Sequence, residues 1–558
     1  MPGSGGVAHR TPVDLPTKRV RATPLGVATA LALLLAWLLL APRTPDLAAA
    51  TYRLELFRRA GFAIYDARWY AGHDMPGYSL LFGPLAWFVG LRVLGALSVL
   101  VSVACFESLM RLAHARATRW ASVAFALAAV GDVWIGRVPF ALGVSFALAA
   151  TLALARRRTA AAAALAALCA AASPVAGALL GLAALTHALS RRSPRALLAL
   201  ALPAAIVALA LVGLFGEGGW EPYPILSFAA TALVLATFAW ALPPRAAELR
   251  LGAALYALAC VAFVLVHTPM GSNVERYGVL LAGPLLICAL GAARAAGGGG
   301  SASAHGARGL GAALRPGGAL AVCVALCAWG AWTVWGPVRE TAAVAGNEST
   351  QGSYYAPVER FLARHAGTLV RVEVPLTRSH WEAAELAPRV SLARGWEKQL
   401  DERYDGVLLS HSLTAASYER WLHEQAVTYV ALPDTKLDPS SAREGRLIAA
   451  GLPYLREVFA SRHWRIYEVR DATPIASGPG ALTALGNDSF ALSASARGGF
   501  VVRVHYTPYW TLTRGAGCVG PAAGGWTRVL ARAPGELRVS ARFSLARALG
   551  GAPACRTG

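Results

Sequence analysis

PDLAAATYRLELFRRAGFAIYDARWYAGHDMPGYSLLFGPL (residues 45–85) follows directly on the apolar run from Leu25 to Ala41 and places four carboxylates, Asp46, Glu55, Asp66 and Asp74, just beyond it. The stretch is too polar to enter a bilayer core. It marks the first apolar run as a complete segment ending at a membrane surface, and the alternation of the chain across the membrane is counted from there. Elsewhere the chain is apolar: 56% of its 558 residues are hydrophobic and 15% are charged. Mean hydropathy is +0.47. These values fit a polytopic membrane protein and not an ordinary soluble domain.

Apolar runs at 25–41, 93–111, 120–135, 138–155, 159–173, 175–190, 196–214, 225–241, 251–267, 279–293 and 318–336 predict about eleven spans. Arg10, Lys18, Arg19 and Arg21 precede the first run, and no small-residue cleavage site follows it, so it reads as a retained signal anchor. With the N-terminus inside, the inner loops carry Arg111/Arg116/Arg119, Arg156/Arg157/Arg158, Arg191/Arg192/Arg195, Arg245/Arg250 and Arg294/Arg308/Arg315. The short outer loops carry only Arg137 and Arg276. This is the bias that sets membrane orientation. It also accounts for much of the formal net charge of +21 without a nucleic-acid partner.

After Gly336 the composition changes. LVRVEVPL (369–376) and TYVALP (428–433) predict strands, and SYERWLHEQA (417–426) and SAREGRLIAAG (441–451) predict amphipathic helices. Residues 490–510, 526–533 and 535–545 alternate with period two between Gly- and Pro-rich turns. The expected architecture is a polytopic α-helical membrane protein with a C-terminal extracytoplasmic α/β plus β-sandwich region. The expected division is a cytoplasmic tail (1–24), a transmembrane part (25–336) with its first outer loop at 43–92, an α/β domain (337–472) and a β-sandwich (473–558). Residues 297–309, Gly-rich and then SASAHGARG, read as a flexible linker. Six cysteines lie in apolar runs as small hydrophobes. Cys518 and Cys555 form a candidate disulfide on the outer side.

Of the acids in the first 336 residues, Asp46, Glu55, Asp66, Asp74, Asp132, Glu217, Glu221 and Glu275 all map to the outer side. A carboxylate held at that surface can deprotonate an acceptor hydroxyl or hold a divalent cation. The bland reading is solvation, or pairing with Arg53, Arg58, Arg59 and Arg68. Asp132 and Arg137, five residues apart, would then form a structural ion pair. Asp46 stands out because a rigid element fixes it at the exit of the first run.

The opening segment resembles the first outer loop of GT-C-type glycosyltransferases, polytopic enzymes that use polyprenyl-phosphate sugars. Asp46 stands at the acidic position that acts in catalysis in that superfamily. YRLELF matches its amphipathic stretch, and Trp69, Tyr70, Gly72, Pro76, Tyr78, Pro84 and Leu85 match its later elements. Leu47 replaces the usual second acid, and Gly83-Pro84 replaces the usual double proline. The resemblance covers about forty residues; the remainder agrees in architecture alone. It implies an inverting glycosyltransferase of the bacterial cytoplasmic membrane that moves a sugar from a lipid-linked donor to an extracytoplasmic cell-envelope glycan or lipid.

On that expectation Asp46 is general base or metal ligand, with Asp66 and Asp132 as further catalytic carboxylates. Arg276 contacts the donor phosphate, and Arg137, His73 and His267 are further candidates for that contact. Trp69, Tyr70 and Tyr78 offer aromatic faces to a sugar. The metal, if one is used, would be Mg or Mn. His380 and Trp381 are further candidates for acceptor recognition. The alternatives are a transporter or flippase of a lipid-linked intermediate, or a non-catalytic membrane anchor presenting an envelope-binding domain. The first needs midplane polar residues in repeated halves. Neither a phosphate-cradling Gly-rich loop nor a GxSxG element occurs, which excludes a P-loop ATPase and a typical serine hydrolase.

Overall fold

The computed structural model describes residues 24–113, 118–216, 218–297, 316–364, 369–551 and 555. The N-terminal tail, Glu217 and the linker from residue 298 lie outside them. The bundle is built from α1 (Leu25–Leu40), α4 (Leu91–Ala113), α5 (Thr118–Trp134), α6 (Val138–Ala155), α7 (Thr159–Ala172) and α8 (Pro174–Arg191). It continues with α9 (Leu202–Leu214), α10 (Ile225–Ala241), α11 (Ala247–Leu265), α12 (Glu275–Gly297) and α13 (Pro316–Val344). Two further helices, α2 (Pro45–Ala60) and α3 (Phe82–Val89), lie in the first long loop.

Among the described residues six helices are long and apolar enough to cross a membrane, or seven if the bent pair Leu25–Leu40 and Pro45–Ala60 is one span. The six are Leu91–Leu112, Val138–Ala155, Leu197–Leu214, Ala247–Leu265, Gly271–Ala293 and Gly318–Val344. The expected count of eleven is therefore not reached by length and composition. The apolar helices α7 and α10 have 14 and 17 residues, shorter than a bilayer core requires. Polar side chains such as Asp132 on α5 interrupt others. Small residues let the helices approach closely: a Cβ on Gly143 of α6 would stand 2.7 Å from Ala176 and 2.8 Å from Ser173 on and beside α8.

α1 ends because Ala41 turns left-handed at φ 44° and prolines follow at 42 and 45. Pro45 then opens α2 at its first turn, and the chain bends by 76°. α2 therefore does not extend the span. It lies against the end of the bundle, its buried face formed by Leu47, Ala48, Tyr52, Leu54 and Leu56.

Beyond α13 a five-stranded mixed sheet has the order β4-β3-β5-β7-β6. Its strands are β3 (Arg371–Glu373), β4 (Ser391–Leu392), β5 (Tyr429–Pro433), β6 (Leu455–Ala460) and β7 (Trp464–Val469). The strand expected over 369–376 pairs only at Arg371–Glu373. Arg371 is buried there and donates to the carbonyls of Gln425 and Arg503. Next come β8 (Ala476–Ser477), β9 (Gly480–Leu485), β10 (Ser489–Ala494), β11 (Gly498–His505), β12 (Trp510–Arg514), β13 (Gly517–Pro521), β14 (Trp526–Ala531) and β15 (Gly535–Ala541). They form two antiparallel sheets, β12-β15-β10-β9 and β13-β14-β11-β8, around Phe490, Leu492, Phe500, Val502, Val529 and Val539. Cys518 and Cys555 are disulfide-bonded.

The segment after α2 is wedged between these parts. It carries a two-stranded hairpin pairing Tyr65 with Asp74 and Asp66 with His73. Arg68 O accepts from Leu392 N of β4 at 2.7 Å, Ala67 N donates to Asn487 O at 2.6 Å, and Ala71 O accepts from His505 N at 2.9 Å. One loop thus satisfies backbone groups of the mixed sheet and of both sandwich sheets.

Candidate functional site

Asp46 is the second residue of α2, where unpaired backbone N–H groups favour negative charge. Thr44, just before it, donates its hydroxyl to Trp134 O at the end of α5, 3.0 Å away. Gly136 turns the chain from α5 into α6 at φ 104°, and a Cβ there would stand 2.2 Å from Leu47 N and 2.8 Å from the Asp46 carbonyl carbon. Only glycine permits that approach of backbone to backbone. It delivers the next residue, Arg137, against α2. Arg137 Nε lies 3.2 Å from Asp46 Oδ2, and its Nη1 lies 3.5 Å from Asp132 Oδ1. Asp132 is buried, whereas the Asp46 and Arg137 side chains remain 37% and 32% exposed. The pair is accessible, not sealed.

Three other elements converge on it. Arg276, at the start of α12, donates from Nη2 to Asn273 Oδ1 at 2.5 Å and lies over the Phe140 ring at 4.8 Å. Its Nε is buried without a hydrogen-bond partner. Tyr78, before α3, packs its ring under the Arg53 guanidinium at 3.6 Å, and Arg53 is ion-paired with Glu397 of the outer region. Burial pushes the Tyr78 phenol up; Arg53 and Arg276 pull it down, and Glu397 and Asp46 push it up. Those charges lie within electrostatic reach of one hydroxyl, and 37% of Tyr78 is exposed.

Glu221, in the loop between α9 and α10, lies within electrostatic reach of Arg276 and Asp46. Ser272 donates to its Oε1 at 3.0 Å. Burial pushes its carboxyl up to about 7; Ser272, Arg276 and Lys398 oppose the rise, and Asp46 adds to it. Gly271 locks the two loops together, since a Cβ there would stand 1.9 Å from Glu221 O. Beside Glu221, Trp220 stacks on the exposed His267 at 4.0 Å. The sequence places Glu221 among eight outer-side acids without singling it out. The missed signal was its position beside Trp220, in a short loop between apolar runs.

Asp46, Asp132, Arg137, Tyr78 and Arg276 are thus brought together, with His267 beside Glu221. The other expected site residues lie apart from the Asp46–Arg137 pair, each in surroundings of its own. Asp66 is fully buried and accepts from Tyr52 OH at 2.7 Å, Arg68 N at 3.1 Å and Asn487 Nδ2 at 3.1 Å. No surface remains on it for a substrate. Trp69 is buried, stacks on Tyr52 at 4.3 Å and donates to Ala383 O. Tyr70 is buried against Asp401, at 3.1 Å, and the backbone of Glu397. His73 is buried between Trp69 and Tyr70, and burial followed by the charge of Arg53 pulls its imidazole down to about 3. Glu55 pairs with Arg58 and Arg59 on the surface, and Asp74 accepts from Thr507 at 3.2 Å. His380 and Trp381 are also buried; Trp381 donates to Arg43 O. Two of the four acids of the opening segment, Asp66 and Asp74, therefore tie the loop to the C-terminal region, Glu55 pairs within its own helix, and Asp46 alone of the four pairs with Arg137.

Among the described residues no group of three or more His, Cys, Asp or Glu side chains is placed to hold a metal ion. The ionic partner of Asp46 is the Arg137 guanidinium.

A multi-pass helical bundle with a β-rich C-terminal region and a cluster of opposite charges at their junction is the class of protein defined by these features. No protein-family model and no curated protein matches the chain. Among solved structures, it is similar to the arabinofuranosyltransferase AftD from mycobacteria, determined by single-particle cryo-EM, with a TM-score of 0.42 and 15% identity. The similarity covers 93% of this chain and 57% of that one, so this chain spans little more than half its length. A likeness this loose transfers neither fold nor activity.

Proposed function

We propose that this protein is a membrane glycosyltransferase, working at the junction of its bundle and outer region on a polyprenyl-phosphate sugar and a cell-envelope acceptor. The observation that carries the reading is the accessible Asp46–Arg137 pair, seated among Asp132, Arg276, Tyr78 and Glu221. Four chain-distant elements converge there on charges of both signs, an arrangement suited to transfer from an anionic leaving group.

The reaction follows from those charges. An acceptor hydroxyl attacks the anomeric carbon of the donor. The bond from that carbon to the phosphate oxygen breaks, and the phosphate leaves with the electron pair. Arg276, with an uncommitted Nε, meets the phosphate charge, and Arg137 adds to the field. A carboxylate, Asp46 or Glu221, takes the proton of the acceptor. Asp132 holds Arg137 in place. On this reading the outer region lies on the extracytoplasmic side of a bacterial membrane.

The test is sugar transfer from a lipid-linked donor by chain reconstituted in nanodiscs. Asp46→Asn keeps size and helix-start geometry and is expected to lower turnover about a hundredfold or more. Turnover equal to wild type would remove Asp46 from the chemistry.

A further inference from the structure

The C-terminal segment after β15 is amphipathic and lies where the sandwich meets the bundle. Phe543 packs in an aromatic triad with Phe215, at 5.7 Å, and Tyr509, at 5.6 Å. Phe215 immediately follows α9, and Tyr509 donates its hydroxyl to Leu214 O of α9 at 2.5 Å. Ala548 joins the cluster of Leu211, Phe215 and Tyr509. Arg547 donates to Trp510 O at 2.8 Å and to the Thr511 hydroxyl at 2.5 Å, turning its charge back onto the sandwich. Cys555 is tied to Cys518 of β13, so both ends of the segment are fastened to the same β-fold.

Apolar side chains of the segment also stay uncovered, Phe543 beyond its contact with the triad, next to the exposed Arg542. Phe543 is 52% exposed, Leu545 55% and Leu549 77%. On α9, Leu202, Ile206, Leu209 and Val212 are likewise at least half exposed, spaced three to four residues apart along one face. That spacing on an apolar span marks the lipid-facing stripe. The stripe ends at Val212, two residues before the contact with Tyr509, and the exposed residues of the C-terminal segment begin there. Phe62, Trp87 and Phe88, at 56%, 58% and 81%, are uncovered on the first loop and α3.

We propose that residues 542–551 are a lipid-seated strap. Phe543, Leu545 and Leu549 dip into the interfacial zone of the leaflet in which α9 ends, and the strap holds the β-sandwich down on the membrane surface. The occupant of the apolar face is phospholipid, because the face continues the lipid-facing stripe of α9, and its polar partner Arg547 is turned away from it. Short amphipathic segments with bulky apolar residues bind bilayer interfaces in this way.

The full chain in phosphatidylcholine nanodiscs tests this. Leu549→Cys, made in a chain with Cys323→Ser and Cys327→Ser, carries a nitroxide. A second label at Arg497, on the sandwich and away from the segment, is the aqueous reference. At position 549 molecular oxygen is expected to relax the label at least twofold more than a water-soluble nickel chelate, with the reverse at 497. A position-549 label with the ratio of 497 would overturn the proposal, as would dipolar broadening between two copies. Wild-type chain supplies a readout independent of labelling: a phospholipid with a diazirine near its glycerol is expected to crosslink to the peptide 542–551. A crosslink map covering α9 but omitting 542–551 would equally refute the strap.

Discussion

Two carboxylates of the charged cluster, Asp46 and Glu221, differ in a way that kinetics can separate. Burial holds the Glu221 carboxyl up to about 7, so Glu221 becomes a base only as pH rises through that value. If it takes the acceptor proton, kcat/KM rises with pH to a plateau with a midpoint near 7. Glu221→Gln then lowers the plateau about tenfold or more and abolishes the pH dependence, whereas Asp46→Asn lowers the rate but keeps the pH dependence, its midpoint moving down because the Asp46 charge no longer raises the Glu221 carboxyl. An unchanged profile in Glu221→Gln removes it from proton transfer. Asp66 provides the contrast. Asp66→Asn leaves an oxygen to accept but sets an amide against a donor, so melting temperature falls while turnover per folded molecule stays within about twofold. Residue type and position alone could single out Asp46, because a helix exit fixes it. They could not separate Asp66 from it: the three donors that bury Asp66 come from residues 52, 68 and 487.

At the scale of elements, the site depends on how closely the start of α2 meets the α5–α6 turn. Gly136→Ala puts a methyl group into the backbone of Asp46 and Leu47 and forces a left-handed φ on alanine. The backbones must separate, and Arg137 loses its register with Asp46. Left-handed strain alone is worth about 1–3 kcal/mol. The expected outcome is a melting temperature lowered by several degrees, with activity lost well below the temperature at which the bundle unfolds. Normal activity in Gly136→Ala would show that the contact does not position the pair. Nothing near Gly136 in the sequence announces this contact; its partner is ninety residues away. Apolar periodicity was enough to expect helices and period-two strands, as at 498–505 and 535–541. It was not enough to rank spans, because α7 and α10 are apolar yet short.

Across the whole molecule, the outer region buries more carboxylate than it neutralises. Arg394 faces Glu373 at 3.2 Å and Glu444 at 3.5 Å, and its charge also acts on Asp401 and Asp405; all five are buried. Burial is the first cause in each case: Glu373 and Asp405 are pushed well above the carboxylate range, Asp401 up to about 6, and Asp74 up to about 7. A folded pKa above the unfolded value near 4 means that the native chain holds protons the unfolded chain has released. That stability is complete in acid and is lost as pH rises through the folded pKa. The imidazoles of His73 and His505, both pulled down to about 3 by burial, oppose it, but only below about 6.5, where the unfolded imidazoles titrate. From pH 6.5 to 8 the carboxylates act alone. Melting temperature in nanodiscs is therefore expected to fall across that interval, each retained proton contributing about 1.4 kcal/mol per pH unit until its group ionises. Asp74→Asn still accepts from Thr507 but cannot ionise, so its curve is flatter than that of wild type. Parallel curves for the two proteins would mean that Asp74 is already ionised at pH 6.5, and that the junction of first loop and sandwich holds a charge, not a proton.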